Sequence, residues 1–147
     1  MSRRFFPLFV LACALPVAAH RYELGPLLIE HPWTRPAPPA MSMGVAYLTI
    51  TNHGADEERL VGASTPAAES VQFHKTTIVD GMARMRPMSE VVIPPGATVR
   101  IEPGGIHLML VMLKTGIEAG SKVPLTLEFL HAGKITVQLA VDAQDGT

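Results

Sequence analysis

Apolar and polar residues alternate with a period of two through most of the chain, the pattern of half-buried strands, and no convincing long helix interrupts them. The pattern predicts strands over residues 27–30, 45–52, 59–63, 70–76, 82–86, 98–102, 106–113, 123–130 and 134–141. Turn-forming residues separate them: Asn52-His53-Gly54, Asp80-Gly81, Pro94-Pro95-Gly96, Pro103-Gly104-Gly105 and Ala132-Gly133. Many short strands at regular spacing argue for an all-β antiparallel sandwich or barrel. Between the first two strands runs Trp33-Thr34-Arg35-Pro36-Ala37-Pro38-Pro39-Ala40, where fixed φ and missing N–H groups favour an extended crossover over a helix.

For the middle of the chain the alternation also predicts faces. Asp80-Gly81 is a strong two-residue hairpin signal. If Val79 pairs with Met82, Thr76 lies opposite Met85, and His74 is the diagonal neighbour of Met85 on the same face. In the run from Ile106 onward, the period of two assigns Ile106, Leu108, Leu110 and Met112 to an apolar face, the expected core side. His107, Met109 and Val111 fall on the other side. Two residue pairs, His74 with Met85 and His107 with Met109, are thus each displayed together.

Taken singly, these residues have bland explanations, because Met commonly fills cores and His is commonly solvated. Together they form a donor set of two imidazoles and two thioethers. Such donors are soft or borderline and carry no negative charge, which suits Cu(I) better than Zn(II), Mg(II) or Ca(II). Thioethers do not titrate, so protons compete with a metal only at the imidazoles.

The arrangement His74-x10-Met85-x21-His107-x-Met109 resembles the copper motif of the periplasmic copper chaperones of the PCu(A)C type. Met85-Arg86-Pro87, Ile93-Pro94-Pro95-Gly96, Pro103-Gly104-Gly105-Ile106-His107-Leu108-Met109-Leu110 and Val123-Pro124-Leu125-Thr126-Leu127 are similar to that family as well, as are His31-Pro32-Trp33-Thr34-Arg35 and Tyr47-Leu48-Thr49-Ile50-Thr51-Asn52. Many members carry Met two residues after the first His, where this chain has Thr76. The resemblance implies a cupredoxin-like Greek-key sandwich or barrel. It also implies a chaperone that delivers one Cu(I) to the CuA centre of cytochrome c oxidase subunit II, working with a thiol-bearing assembly factor.

Residues 1–19 contain Arg3 and Arg4, an apolar run and Val17-Ala18-Ala19, which reads as a secretory signal peptide cut after Ala19 and followed by one domain over 20–147. The apolar run is shorter than the roughly 20 residues a membrane span needs. A lipoprotein reading would use Val10-Leu11-Ala12-Cys13, against which the apolar residues continuing behind Cys13 count. Cys13 is the only cysteine, so a chain cut after Ala19 has no disulfide, thiolate zinc site or blue-copper centre. Loss of Arg3 and Arg4 leaves 10 basic and 13 acidic residues, and no basic patch points to nucleic acid or a membrane surface.

Cleavage after Ala19 would make His20 the terminal residue, whose amine and imidazole could together chelate Cu(II) at a second site. Met41 and Met43 could add thioethers near Cu(I), although exposed or gap-filling roles are the ordinary expectation. His31, His53 and His131 read as structural or solvated. The chain carries no nucleophile motif, His-Glu-x-x-His helix or phosphate-cradling glycine loop, so the expectation is a carrier rather than an enzyme. The alternatives are a periplasmic sequestration or resistance protein with no delivery role, and an adhesion-type sandwich in which the four residues coincide by chance.

Overall fold

The computed structural model describes residues 20–142. The expected signal peptide, with Cys13, lies outside the described residues. Eleven strands follow one another: β1 (Arg21–Leu24), β2 (Leu27–Thr34), β3 (Met43–Asn52), β4 (Glu58–Ser64), β5 (Ala68–Val79), β6 (Met82–Met88), β7 (Val91–Ile93), β8 (Thr98–Ile101), β9 (Ile106–Leu113), β10 (Lys122–Phe129) and β11 (Gly133–Val141). Nine of these correspond to the strands expected from alternation. β1 and β7 are additions, the latter only three residues long, too short for a period of two to register.

The strands form one sheet in the order β6-β5-β9-β8-β3-β2-β11-β10-β4-β7, with β1 on β2 and β3 also paired to β9. Pairing is antiparallel except for two short parallel contacts, β11 with β2 and β8 with β9. The sheet bends round one continuous core to which both halves contribute, including Ile29, Ile50, Leu108, Leu110, Leu127 and Leu139. All six are at most 0 % exposed. Burying side chains of this size, at about 1.5–3 kcal/mol each, provides the main driving force for folding.

Two local irregularities interrupt the strand ladders. In β2 the strand continues past Glu30, where the alternation stops, to Thr34. His31 takes a positive φ of 51°, and the register with β3 shifts between Glu30 and Trp33. Pro32 is accommodated because the ladder is already interrupted by this bulge. Trp33 thereby pairs with Tyr47, and their ring centroids lie 4.7 Å apart.

The second irregularity corrects an expectation. Met112 is not on the core face: it is 52 % exposed and carries a φ of 58°. The N–H of Leu113, rather than that of Met112, bonds the Ser42 carbonyl at 2.9 Å, so Met112 is the extra residue of a bulge against β3. Leu113 packs against the core in its place. Burial alternates from Leu108 to Val111, and the pattern ends where the backbone turns left-handed.

Candidate metal centre

The hairpin of β5 and β6 has the register that Asp80-Gly81 predicts. Val79 pairs with Met82 and Thr76 with Met85, and both turn residues have positive φ, 52° and 77°. Glycine occupies the second position without strain, as a primed two-residue turn requires. On its other side β5 pairs with β9, with His74 opposite His107 and Gln72 opposite Met109. Directly paired residues share a face, and so do residues two apart along a strand. His74, Met85, His107 and Met109 therefore all project from one face of the three adjacent strands β6, β5 and β9.

The two imidazoles stack with centroids 5.9 Å apart and planes 28° from parallel. His107 is 4 % exposed and His74 is half-buried. Each ring has one nitrogen engaged. Nδ1 of His107 lies 3.1 Å from the Gly105 carbonyl, which can only accept, so this nitrogen carries the proton and Nε2 keeps its lone pair. Nε2 of His74 lies 3.0 Å from Oε1 of Gln72, another acceptor, which leaves the lone pair on Nδ1. Both of these lone-pair nitrogens, His74 Nδ1 and His107 Nε2, are buried without a hydrogen-bond partner.

Buried polar atoms are nearly always satisfied, and an orphaned one costs about 1–3 kcal/mol, so two orphaned imidazole nitrogens side by side call for an explanation. A metal ion supplies one. With a metal–nitrogen bond of about 2 Å, each ring centroid lies about 3.2 Å from the ion, so two rings sharing it have centroids no more than about 6.4 Å apart. The observed 5.9 Å fits that limit. The hydrogen bonds on the far side of each ring hold tautomer and orientation, as ligating histidines require.

Met109 is half-buried beside His107, and Met85 is 62 % exposed at the sheet edge. One thioether is thus built into the surface and the other is free to approach. No group of three or more His, Cys, Asp or Glu that could hold a metal ion stands together among the described residues.

Gln72 and Gly105 each contact one of the two imidazoles, a role that the sequence reading assigned to neither. Each lies two residues before a candidate histidine, the spacing that puts Gln72 on the face of His74, so period two could have found it. The Gly105 carbonyl also accepts the N–H of Thr76 at 3.1 Å and so joins the turn before β9 to the hairpin. His20, His31 and His53 are exposed, and His131 lies 3.3 Å from Glu58. Met41 and Met43 border the same face from the β3 side and line a groove with Met109.

Residues 27–141 match the family described as "Putative lipoprotein LpqE-like". The chain is 35% identical over 118 residues to "Putative lipoprotein Lxx21020" of Leifsonia xyli subsp. xyli, covering 80% of this chain and 69% of that one. The copper-bound PCuAC domain from PmoF2 is 30% identical and superposes with a TM-score of 0.73, covering 85% of this chain and 99% of that one. CuI-DR1885 from Deinococcus radiodurans is 29% identical with a TM-score of 0.64, covering 87% and 84%. The fold is therefore the all-β, cupredoxin-like fold of PCuAC domains, as the resemblance of the motifs implied.

Proposed function

Because this chain belongs to the LpqE-like family and shares its fold with PCuAC domains, we propose that it is an exported copper chaperone binding one Cu(I) through His74, Met85, His107 and Met109. The observation that carries this reading is the pair of buried, partnerless imidazole nitrogens flanked on one face by two thioethers. Solved relatives described as copper-bound and as CuI-DR1885 support the metal and its oxidation state.

The arrangement suits a carrier. His107 and His74, held by Gly105 and Gln72, provide a preorganised pair of donors, and Met109 closes the set from the same strand. Met85, exposed on the edge strand β6, can leave first and let a ligand of the acceptor enter. Transfer then proceeds by exchanging one donor at a time without releasing free Cu(I). Neutral donors also make the bound ion easier to surrender than a thiolate cage does.

The acceptor that this reading names is the CuA centre of cytochrome c oxidase subunit II, with a thiol-bearing assembly factor working alongside. Export follows from the N-terminal signal pattern and fits the family's lipoprotein description. That description also favours a second reading of the leader, in which Cys13 is acylated and the chain is anchored rather than released at His20. Intact-mass measurement on the exported protein separates the two. A terminus at His20 is also the condition for any second, Cu(II) site there.

The deciding experiment is a Cu(I) competition titration followed by transfer to a purified subunit II fragment. The expected result is one Cu(I) per chain, weakening on acidification with a limiting slope of about two protons per ion. A slope of zero would remove the histidines from the site. Binding without transfer to the fragment would point to sequestration.

A further inference from the structure

The sheet face that bears the four proposed ligands does not end at β9. Beyond it β3 pairs with Val45 opposite Met109 and Met43 opposite Val111, so Met43 is the diagonal neighbour of Met109. This is the relation Met85 has to His74 on the far side. Met41 follows in the loop leading into β3, with its N–H bonded to the Pro38 carbonyl at 2.9 Å. Met41, Met43 and Met109 together line a groove of about 270 Å3 whose other walls include Arg35, Pro36 and Val45. Met41 is 49 % exposed and Met43 39 %, so neither is a core residue.

The geometry points to a second soft-metal station in this groove, formed by the sulfurs of Met41, Met43 and Met109 and taking Cu(I) or Ag(I) on its way into the four-donor site. Three neutral thioethers select a soft monovalent ion and little else. Met109 belongs to both sets, so an ion can pass between them by rotating about that one side chain, whose thioether stem is unbranched and adaptable. Arg35 also lines the groove, and its guanidinium lies 5.9 Å from the ring centroids of both Trp33 and Tyr47. With three thioethers and no imidazole, the station binds more weakly than the four-donor site and serves passage rather than storage.

This inference rests on the copper reading above, and the experiment separates the two. The exported chain, carrying methyl-labelled methionine, is titrated with Ag(I), a redox-inert stand-in for Cu(I), and followed by NMR. The first equivalent is expected to shift Met85 and Met109 together with both imidazoles. Excess Ag(I) is then expected to shift Met41 and Met43 and to move Met109 again, with the exposed Met82 and Met112 as controls. The double variant Met41→Leu/Met43→Leu should keep its Cu(I) affinity within about twofold, while Cu(I) transfer from a chelator into the protein slows by about tenfold. Shifts of Met41 and Met43 no larger than those of Met82 and Met112, or an unchanged transfer rate in the variant, would overturn the second station. A first equivalent that leaves Met85, Met109 and the imidazoles unmoved would instead overturn the four-donor site.

Discussion

Two buried polar clusters in this domain follow opposite rules. At one end Glu58, 4 % exposed, has both carboxylate oxygens engaged: Oε1 accepts the N–H groups of Arg59 and His131 at 2.9 and 3.0 Å, and Oε2 accepts that of Ala132 at 2.9 Å. Fully buried Asn52 nearby donates to the carbonyls of Asp56 and Ile93 and accepts the N–H of Gly54. At the metal-centre candidate, each imidazole has one nitrogen bonded and one bare. The first cluster ties β4 to the turn between β10 and β11, and each of its side-chain polar atoms has a partner. The second leaves one nitrogen of each imidazole bare, so unsatisfied polarity, rather than polarity itself, sets the candidate metal centre apart.

The largest effect that would test this contrast is the loss of a ligand. His107→Ala or Met109→Ala should weaken Cu(I) binding by about a hundredfold to a thousandfold, if each of four donors supplies about a quarter of a binding energy near 10–16 kcal/mol. Chelator competition measures it, and an affinity retained within a few-fold would erase the distinction between the clusters.

Next comes Glu58→Ala, which leaves three backbone N–H groups bare and should cost about 2–4 kcal/mol in urea unfolding without changing Cu(I) affinity. Burial acts most strongly on this carboxyl and opposes its charge, but the N–H groups of Arg59, His131 and Ala132, with the charge of His131, together hold it below its usual range. A lowered folded value stabilises the fold at pH above the unfolded reference of 4.5, and that contribution is lost as pH falls through the folded value. Wild type should therefore lose stability more steeply than the variant below that point. Parallel curves would mean that Glu58 is not what holds this end.

A smaller change is expected from Gln72→Leu, which frees the His74 ring to turn and to change tautomer. Loss of such an orienting partner typically weakens metal binding by about 10- to 100-fold. The readout that distinguishes positioning from packing is the His74 nitrogen shifts, which should report a mixture of tautomers in the variant without metal. The smallest effect is assigned to Met112→Ala. As an exposed bulge residue, Met112 should cost no more than about 0.5 kcal/mol and leave Cu(I) binding intact. A core residue would cost about 2–5 kcal/mol instead.

Much of the candidate site could be read from the chain because its geometry is local. Asp80-Gly81 determined the hairpin register, period two placed His74 with Met85 and His107 with Met109, and the absence of charge on the four donors pointed to a soft ion. The tertiary structure decided what local rules cannot reach. Pairing of β5 with β9 brings His74 opposite His107 from 33 positions away in the chain, and only that long-range register sets the two rings 5.9 Å apart. The left-handed turn at Met112 reversed one face assignment, because a bulge depends on the neighbouring strand as well as on the residue itself. The groove between Met109 and the loop before β3 likewise exists only once β3 lies beside β9, since alternation along one strand carries no information about which strand will be its neighbour.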